Sequence, residues 1–350
     1  MPLVFTPPAP KCVSYAINNA VLQMTFTVLT DFSNLILSIY RAAQELPVHQ
    51  FQDAILASVK RTLPFDSSMW GTATLNETGI DIHSIHLHNL DAQFLEAYEK
   101  VKHQDSAAAG LMTQLRATIG FDAEQEFTGA DQAEMRAFSK SFGHQHCFIT
   151  SDFNPTTRFT HWVSLFRADS TMPCMQHEIE FLENLAPHIM QALAINRLVH
   201  LDRLTGDVAR ETWCVAIADR RGVLYHADDR FRLLMNLEWP GRADRDKLPA
   251  KLLELLHTGD DHVSGKHVVV KRSLEKDILF LKARDRMPVD DITPRELLVA
   301  RLLASGLTHK EVAQRLERSP DTISSQAKTV FDKLGINNVA MLSRSIMLRD

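Results

Sequence analysis

Near the C-terminus, short hydroxyl side chains and one amine recur at intervals of three and four: Ser324, Ser325, Lys328 and Thr329. Ser324 and Lys328 are four apart, so on a helix they share one face. A second helix presenting such a face after a tight turn is what a helix-turn-helix offers to the major groove of DNA. Another cluster is His83-x-x-His86-x-His88, which with His144, His146 and Cys147 would supply borderline-soft ligands suited to zinc. Strand alternation puts His86 and His88 on one face with Ile80, Ile82 and Ser84. These histidines and Cys147 lie on separate segments and spell out no closed ligand set, so neither a metal nor a cofactor is expected. Asp152 and Asp169 follow strands, but a phosphate-accepting receiver needs an acidic cluster on neighbouring parallel strands. G-x-S-x-G, P-loop and H-E-x-x-H patterns are absent, so no catalytic residues are assigned and no enzyme is expected. Trp70, Trp162 and Phe166 could line an apolar ligand pocket.

Start and stop signals define the elements that must hold the polar face. Thr293 with Glu296 has capping-box spacing, and Pro294 suits the first helical position. Gly306 can close that helix. Thr308 with Glu311 opens a second helix to about Leu316, the turn Glu317-Arg318 follows, and Ser319-Pro320 opens a third that Gly335 closes. Asn337 or Asn338 can cap a fourth, running to about Met347. Leu302, Leu303, Val312, Ala313, Leu316, Ile323, Ala327, Val330, Phe331 and Leu334 recur at helical spacing and predict one small core. Asp321, Ser324, Ser325, Lys328, Thr329 and Asp332 are then left outside.

The T-P-R-E at 293–296, the G-L-T-x-K-E-V-A at 306–313, Leu316, the S-P-x-T-I at 319–323 and the K-L-G-I at 333–336 resemble, in identity and spacing, the DNA-binding domain of LuxR/FixJ-type bacterial transcription regulators. The resemblance covers about 60 residues. It implies that the third helix reads bases through Ser324, Ser325 and Lys328, with Thr308, Thr322 and Lys333 near phosphates. The wider DNA-facing set adds His309, Lys310, Ser319 and Thr329. It also implies dimerisation through the fourth helix, with Val339, Leu342 and Ile346 on the dimer face. Three departures stand out. Glu317 occupies a turn position where the family usually has glycine, Ser324 stands where a basic residue is usual, and Gln326 where histidine is. Residues 289–350 hold nine Lys/Arg against eight Asp/Glu. So nearly neutral a domain gains little from phosphate neutralisation, and must lean on helix N-termini and on dimerisation.

At 350 residues and 45% hydrophobic, the chain is long enough for two or three domains with cores of their own. Its formal charge is −5, so the part ahead of the last segment carries about −6 and is a poor nucleic-acid surface. Four scattered cysteines, Cys12, Cys147, Cys174 and Cys214, suit reduced thiols and a cytoplasmic location. Residues 12–30 carry no charge but are too polar for a span, so no membrane segment is expected. The proline-rich stretch 1–23 reads as a loose tail, followed by a partly buried helix near 24–42.

The expected architecture is an α+β sensory region followed by an all-α four-helix domain with the helix-turn-helix. The boundaries are a tail and helix at 1–40, a GAF-like sensory domain at 41–203, a small PAS-like domain at 204–287 and the DNA-binding domain at 288–350. The GAF resemblance rests on HWVSLFRAD…EIEFLENLAPHIMQAL, the PAS resemblance on VAIADRRGVLYHADDRF. Along the long helix near 178–201, Ile179, Leu182, Leu185, Ile189, Leu193 and Asn196 form a seam that either joins two chains or covers the domain's own sheet. The expected function is a sequence-specific DNA-binding transcription regulator. It would act as a homodimer on double-stranded DNA, controlled by a small-molecule or protein signal. The alternatives are a two-component-like response regulator or a protein–protein adaptor with a degenerate DNA-binding domain.

Overall fold

The computed structural model describes residues 13–76, 79–112, 114–154, 159–205, 212–241, 244–258 and 261–349. The chain divides into two compact units, Met1–His200 and Leu201–Asp350.

The first unit opens with helices α1 (Val13–Glu45) and α2 (Val48–Lys60). Helix α1 begins ahead of the expected start, because nothing between Val13 and Met24 is a proline or glycine that would stop it. Residues 1–12 of the expected tail, with Cys12, lie outside the described residues. Next come β1 (Ser67–Asn76), β2 (Gly79–His88), α3 (Ala92–Val101), α4 (Ser106–Met112), β3 (Arg116–Asp122) and the single turn α5 (Ala123–Glu126). Then follow α6 (Ala133–Ser141), β4 (His146–Asn154), β5 (Phe159–Arg167) and α7 (Gln176–Thr205). The sheet order is β2-β1-β5-β4-β3, with every pairing antiparallel.

Strand alternation gives this sheet two apolar faces. Trp70, Phe148, Val163 and Leu165 pack under α1, α2 and α7. Met69, Ala73, Ile149, Trp162 and Phe166 face α3, α4 and α6. A β-carbon on Gly71 would lie 2.3 Å from the Trp162 ring, so glycine is what lets the indole cross its neighbouring strand. Of the two readings for the α7 seam, the structure supports the cover for its own sheet. Leu182, Leu185, Ile189 and Leu193 are buried there, and Asn196 Nδ2 donates to the carbonyls of Ala43 and Leu46 at 3.1 and 2.8 Å.

The second unit holds a smaller sheet and then the helices. Its elements are β6 (Cys214–Asp219), β7 (Leu224–Ala227), α8 (Asp229–Glu238), α9 (Ala250–His257), β8 (His262–Ser264), β9 (Val268–Glu275) and β10 (Ile278–Asp285). The order β7-β6-β10-β9-β8 repeats that of the first sheet when each is numbered from its own first strand. Helices α10 (Pro294–Ala304), α11 (His309–Arg315), α12 (Pro320–Leu334) and α13 (Val339–Arg349) then form a separate core around Val299, Val312, Ile323 and Val330. Buried Arg284 of β10 grips Asp290 through two bonds of 2.6 and 2.7 Å, tying the sheet to the entry of the helices. Among the described residues, no helix is long and apolar enough to cross a membrane.

Candidate nucleic-acid interface and ligand cavity

Four capped N-termini and three matched C-termini set the helical domain. The Thr293 hydroxyl accepts from Glu296 N, while Thr293 N donates to the Glu296 carboxylate at 2.7 Å; Thr308 and Glu311 repeat the exchange. Ser319 Oγ accepts from Thr322 N at 3.2 Å. At the C-termini of α10, α11 and α12 the same pair of bonds recurs: Leu307 N to Leu302 O with Gly306 N to Leu303 O, Arg318 N to Ala313 O with Glu317 N to Gln314 O, and Ile336 N to Phe331 O with Gly335 N to Asp332 O. This closure needs a left-handed residue at its centre. Gly306 and Gly335 supply it at φ 96° and 64°, and Glu317 is forced into it at φ 53°. Asn338 caps α13 by accepting from Met341 N at 2.9 Å.

These closures aim α12. Ile323, Ala327 and Val330 point inward, leaving Ser324, Ser325, Lys328 and Thr329 exposed along one flank with Asp321 and Asp332. Thr308, His309 and Lys310 at the start of α11, and Ser319 and Thr322 at the start of α12, are also exposed. The hydroxyls of Ser319 and Thr322 lie 2.8 Å apart and already engage each other. Lys333, expected beside phosphate, is engaged within the domain. Its Nζ donates to both oxygens of Glu296 at 2.8 Å, and this contact with the Thr293 bonds holds the Glu296 carboxyl below its ordinary range.

The expected dimer face is corrected. Leu342 is 0% and Ile346 7% exposed, both inside the domain's own core, because α13 is the fourth wall over Val299 and Leu303. Its exposed large apolar side chains are Val339, Met341 and Met347.

In the first unit, a cavity of about 440 Å³ opens between the sheet and helices α3, α4 and α6. Trp162 and Phe166 line it, but Trp70 does not; one residue out of phase with Met69, it points into the opposite core beside Phe51. Two of the cavity's polar residues, Tyr98 and Asp105, were not among the candidates the sequence offered. Tyr98 Oη donates to Asp105 Oδ2 at 2.9 Å, and Ala108 N donates to Asp105 Oδ1 at 2.9 Å. Burial raises the Asp105 carboxyl against the pull of these two bonds. Only the N-capping position of Asp105 ahead of Ser106-Ala107-Ala108 was visible beforehand. His144 stacks flat on Phe166, with centroids 3.7 Å apart, and burial pushes its imidazole down to about 3. Burial likewise holds the Cys147 thiol far above its usual range.

The β2 histidines are engaged on the sheet face opposite the cavity that His144 lines. His86 Nε2 and His88 Nδ1 both lie 2.9 Å from Asp53 Oδ1, while His83 Nε2 meets Thr74 Oγ1 at 2.9 Å. A bulge opposite Thr72 and Ala73 skips His83 in the register. Ile82 therefore turns to the cavity, whereas Ser84 bonds Thr72 on the face of His86 and His88, against simple alternation. Among the described residues, no three His, Cys, Asp or Glu side chains converge to hold a metal.

Residues 290–345 match the family of bacterial regulatory proteins of the luxR type, and the C-terminal segment is a helix-turn-helix domain of that family. The chain is 34% identical over 87 residues to the transcriptional regulatory protein UhpA of Escherichia coli K12, which is 24% of this chain and 43% of UhpA. It is 45% identical over 53 residues to the transcriptional regulatory protein RcsB of the same organism, 15% of this chain and 24% of RcsB. The chain thus spans less than half the length of these curated relatives. Among solved structures, SdiA of Escherichia coli aligns over 91% of this chain and 97% of SdiA, at 10% identity and a TM-score of 0.39.

Proposed function

We propose that this chain is a transcription regulator that reads duplex DNA through α12 and is controlled by a signal received in its N-terminal unit. The observation that carries the reading is the outward flank of α12. Ser324, Ser325, Lys328 and Thr329 stand exposed on a helix whose start, turn and inner face are each secured by the bonds above. Hydroxyls and an ammonium at this spacing suit base edges and phosphates in a major groove. Thr308, His309, Lys310, Ser319 and Thr322 cluster at the N-termini of α11 and α12, where a helix dipole favours phosphate. With so little net positive charge, binding as a homodimer supplies the affinity that one domain lacks. The contact surface we assign to that dimer is the exposed side of α13, with Val339, Met341 and Met347.

Residues 41–203 and 204–287 serve as GAF-like and PAS-like sensory domains in this reading, supported by their shared strand order and by the cavity in the first. The all-antiparallel first sheet weighs against a receiver domain, whose acidic cluster needs neighbouring parallel strands. The signal acts by binding one arrangement of the molecule more tightly than another.

The test is a gel-shift titration of the full chain on the DNA upstream of its own coding sequence, repeated across salt concentrations. Lys328→Ala should weaken binding and lower the salt slope by about one, as for one lost phosphate contact. Unchanged affinity and slope would overturn the assignment of α12.

A further inference from the structure

The cavity in the first unit has a wall chemistry that narrows what it can hold. Rings dominate the lining: Phe94, Phe121, Phe127, Phe138, Trp162 and Phe166, with His144 flat against the last. Among the described residues, the larger aliphatic side chains of the lining are two isoleucines, Ile82 and Ile149, and two methionines, Met69 and Met135, so rings outnumber them. Phe94 alone meets Tyr98, Phe138, Phe142, His144 and Phe166 at centroid distances between 5.2 and 6.3 Å. Stiff plates of this kind reward a flat ring by offset or edge contact, beyond the area they cover. A flexible alkyl chain gains only the area.

The polar groups then set the charge. His144 is 3% exposed, lines the cavity, and its Nε2 has no hydrogen-bond partner. An atom left unpaired in a buried site is unfavourable, so a ligand donor that meets it is favoured. Across from it, both oxygens of Asp105 are already engaged, by Tyr98 Oη and by Ala108 N. The Tyr98 hydroxyl keeps its proton but points it at Asp105, so towards a ligand its oxygen can only accept. Lys102 lines the cavity but is paired with Glu99 at 2.8 Å. His103 also lines the cavity, but it is exposed and meets Gln104 Nε2. With the buried His144 imidazole uncharged, the described lining offers no buried cation to an anionic ligand, and a buried ion without a partner is strongly disfavoured.

We propose that the cavity binds a neutral one- or two-ring aromatic or heteroaromatic molecule carrying a hydroxyl or ring N–H, stacked among the phenylalanines and hydrogen-bonded to His144 Nε2 or the Tyr98 hydroxyl oxygen. At about 440 Å³ the space is in the range that takes one small organic ligand. This inference rests on the reading of the first unit as a sensory domain, and deepens it by naming the ligand class.

Isothermal titration of the full chain with three probes tests it: 2-naphthol as a neutral arenol, 2-naphthoate as its anionic counterpart, and n-decanol as a flexible neutral chain. The expected result is saturable one-to-one binding of 2-naphthol, at least tenfold tighter than either other probe. The double variant Tyr98→Phe/His144→Phe keeps the rings and removes both polar atoms, and should weaken 2-naphthol by at least fivefold while its circular dichroism stays unchanged. If n-decanol or 2-naphthoate binds as tightly as 2-naphthol, the ligand class is wrong and the sensory reading of the cavity survives. An undiminished affinity in the double variant also overturns the class. If none of the three binds, the proposal fails together with the sensory reading.

Discussion

Glu317 carries a single-residue conflict at the turn before α12. Three helices end with the same pair of backbone bonds, and at two of them glycine takes the left-handed centre. A left-handed conformation costs a non-glycine residue about 1–2 kcal/mol, while glycine's extra freedom in the unfolded chain offsets about 0.5–1 kcal/mol of that. Glu317→Gly should therefore stabilise the C-terminal domain by roughly 0.5–1 kcal/mol, read as a higher urea midpoint. A lower midpoint would mean that the glutamate side chain has a compensating role. At the start of α11, Thr308 accepts from Glu311 N, so Thr308→Ala should cost about 1 kcal/mol, and DNA affinity should fall further than that loss of stability explains if the hydroxyl also touches phosphate. Residue-level features of this sort were legible in advance, because caps and left-handed closures are written in local residue types. The bond from Lys333 to Glu296 was not, since the two lie 37 positions apart and meet only when α12 folds back on α10.

At the scale of an element, α13 separates two kinds of apolar residue that the spacing alone merges. Leu342 is wholly buried in the domain core, whereas Met347 is 58% exposed. Placing a charge at Leu342 should unfold the domain, at a cost above about 3 kcal/mol for a buried unpaired charge. Met347→Asp should leave the helical circular dichroism unchanged and, if α13 is the dimer surface, shift the sedimentation coefficient towards monomer. A folded monomer from Leu342→Asp would reverse this assignment. Strand β2 makes the same point about elements. Its alternation is readable, but the bulge at His83 resets the phase and sends Ile82 to one face and Ser84 to the other. The missing residue in the register is dictated by the partner strand, which the local pattern does not contain.

For the molecule as a whole, the buried histidines set a pH dependence. His144 and His161 are both pushed from 6.5 down to about 3, His144 by burial and His161 by burial and the Arg197 charge. The unfolded chain then binds protons between about pH 6.5 and 3 that the folded unit refuses. Stability is complete above the upper limit and falls as the solution is acidified, by at most about 1.4 kcal/mol per pH unit for each histidine. The urea midpoint of the first unit should drop between pH 7 and pH 5. His144→Phe should make that drop shallower, and an equal drop in the variant would show that His144 is not held neutral.

The linear chain determined the helix-turn-helix nearly residue by residue: its caps, its turns, its inner face and the outward flank of α12. Each of those is a local signal, carried by residues within one helical turn of each other. Tertiary structure alone decided three things. It closed the cavity by laying α3, α4 and α6 over one face of the sheet, it put Trp70 on the other, and it sank Leu342 and Ile346 into the domain core. Strands and helices brought together from distant positions make a cavity or a core, and a one-residue change of phase decides which side chain enters it.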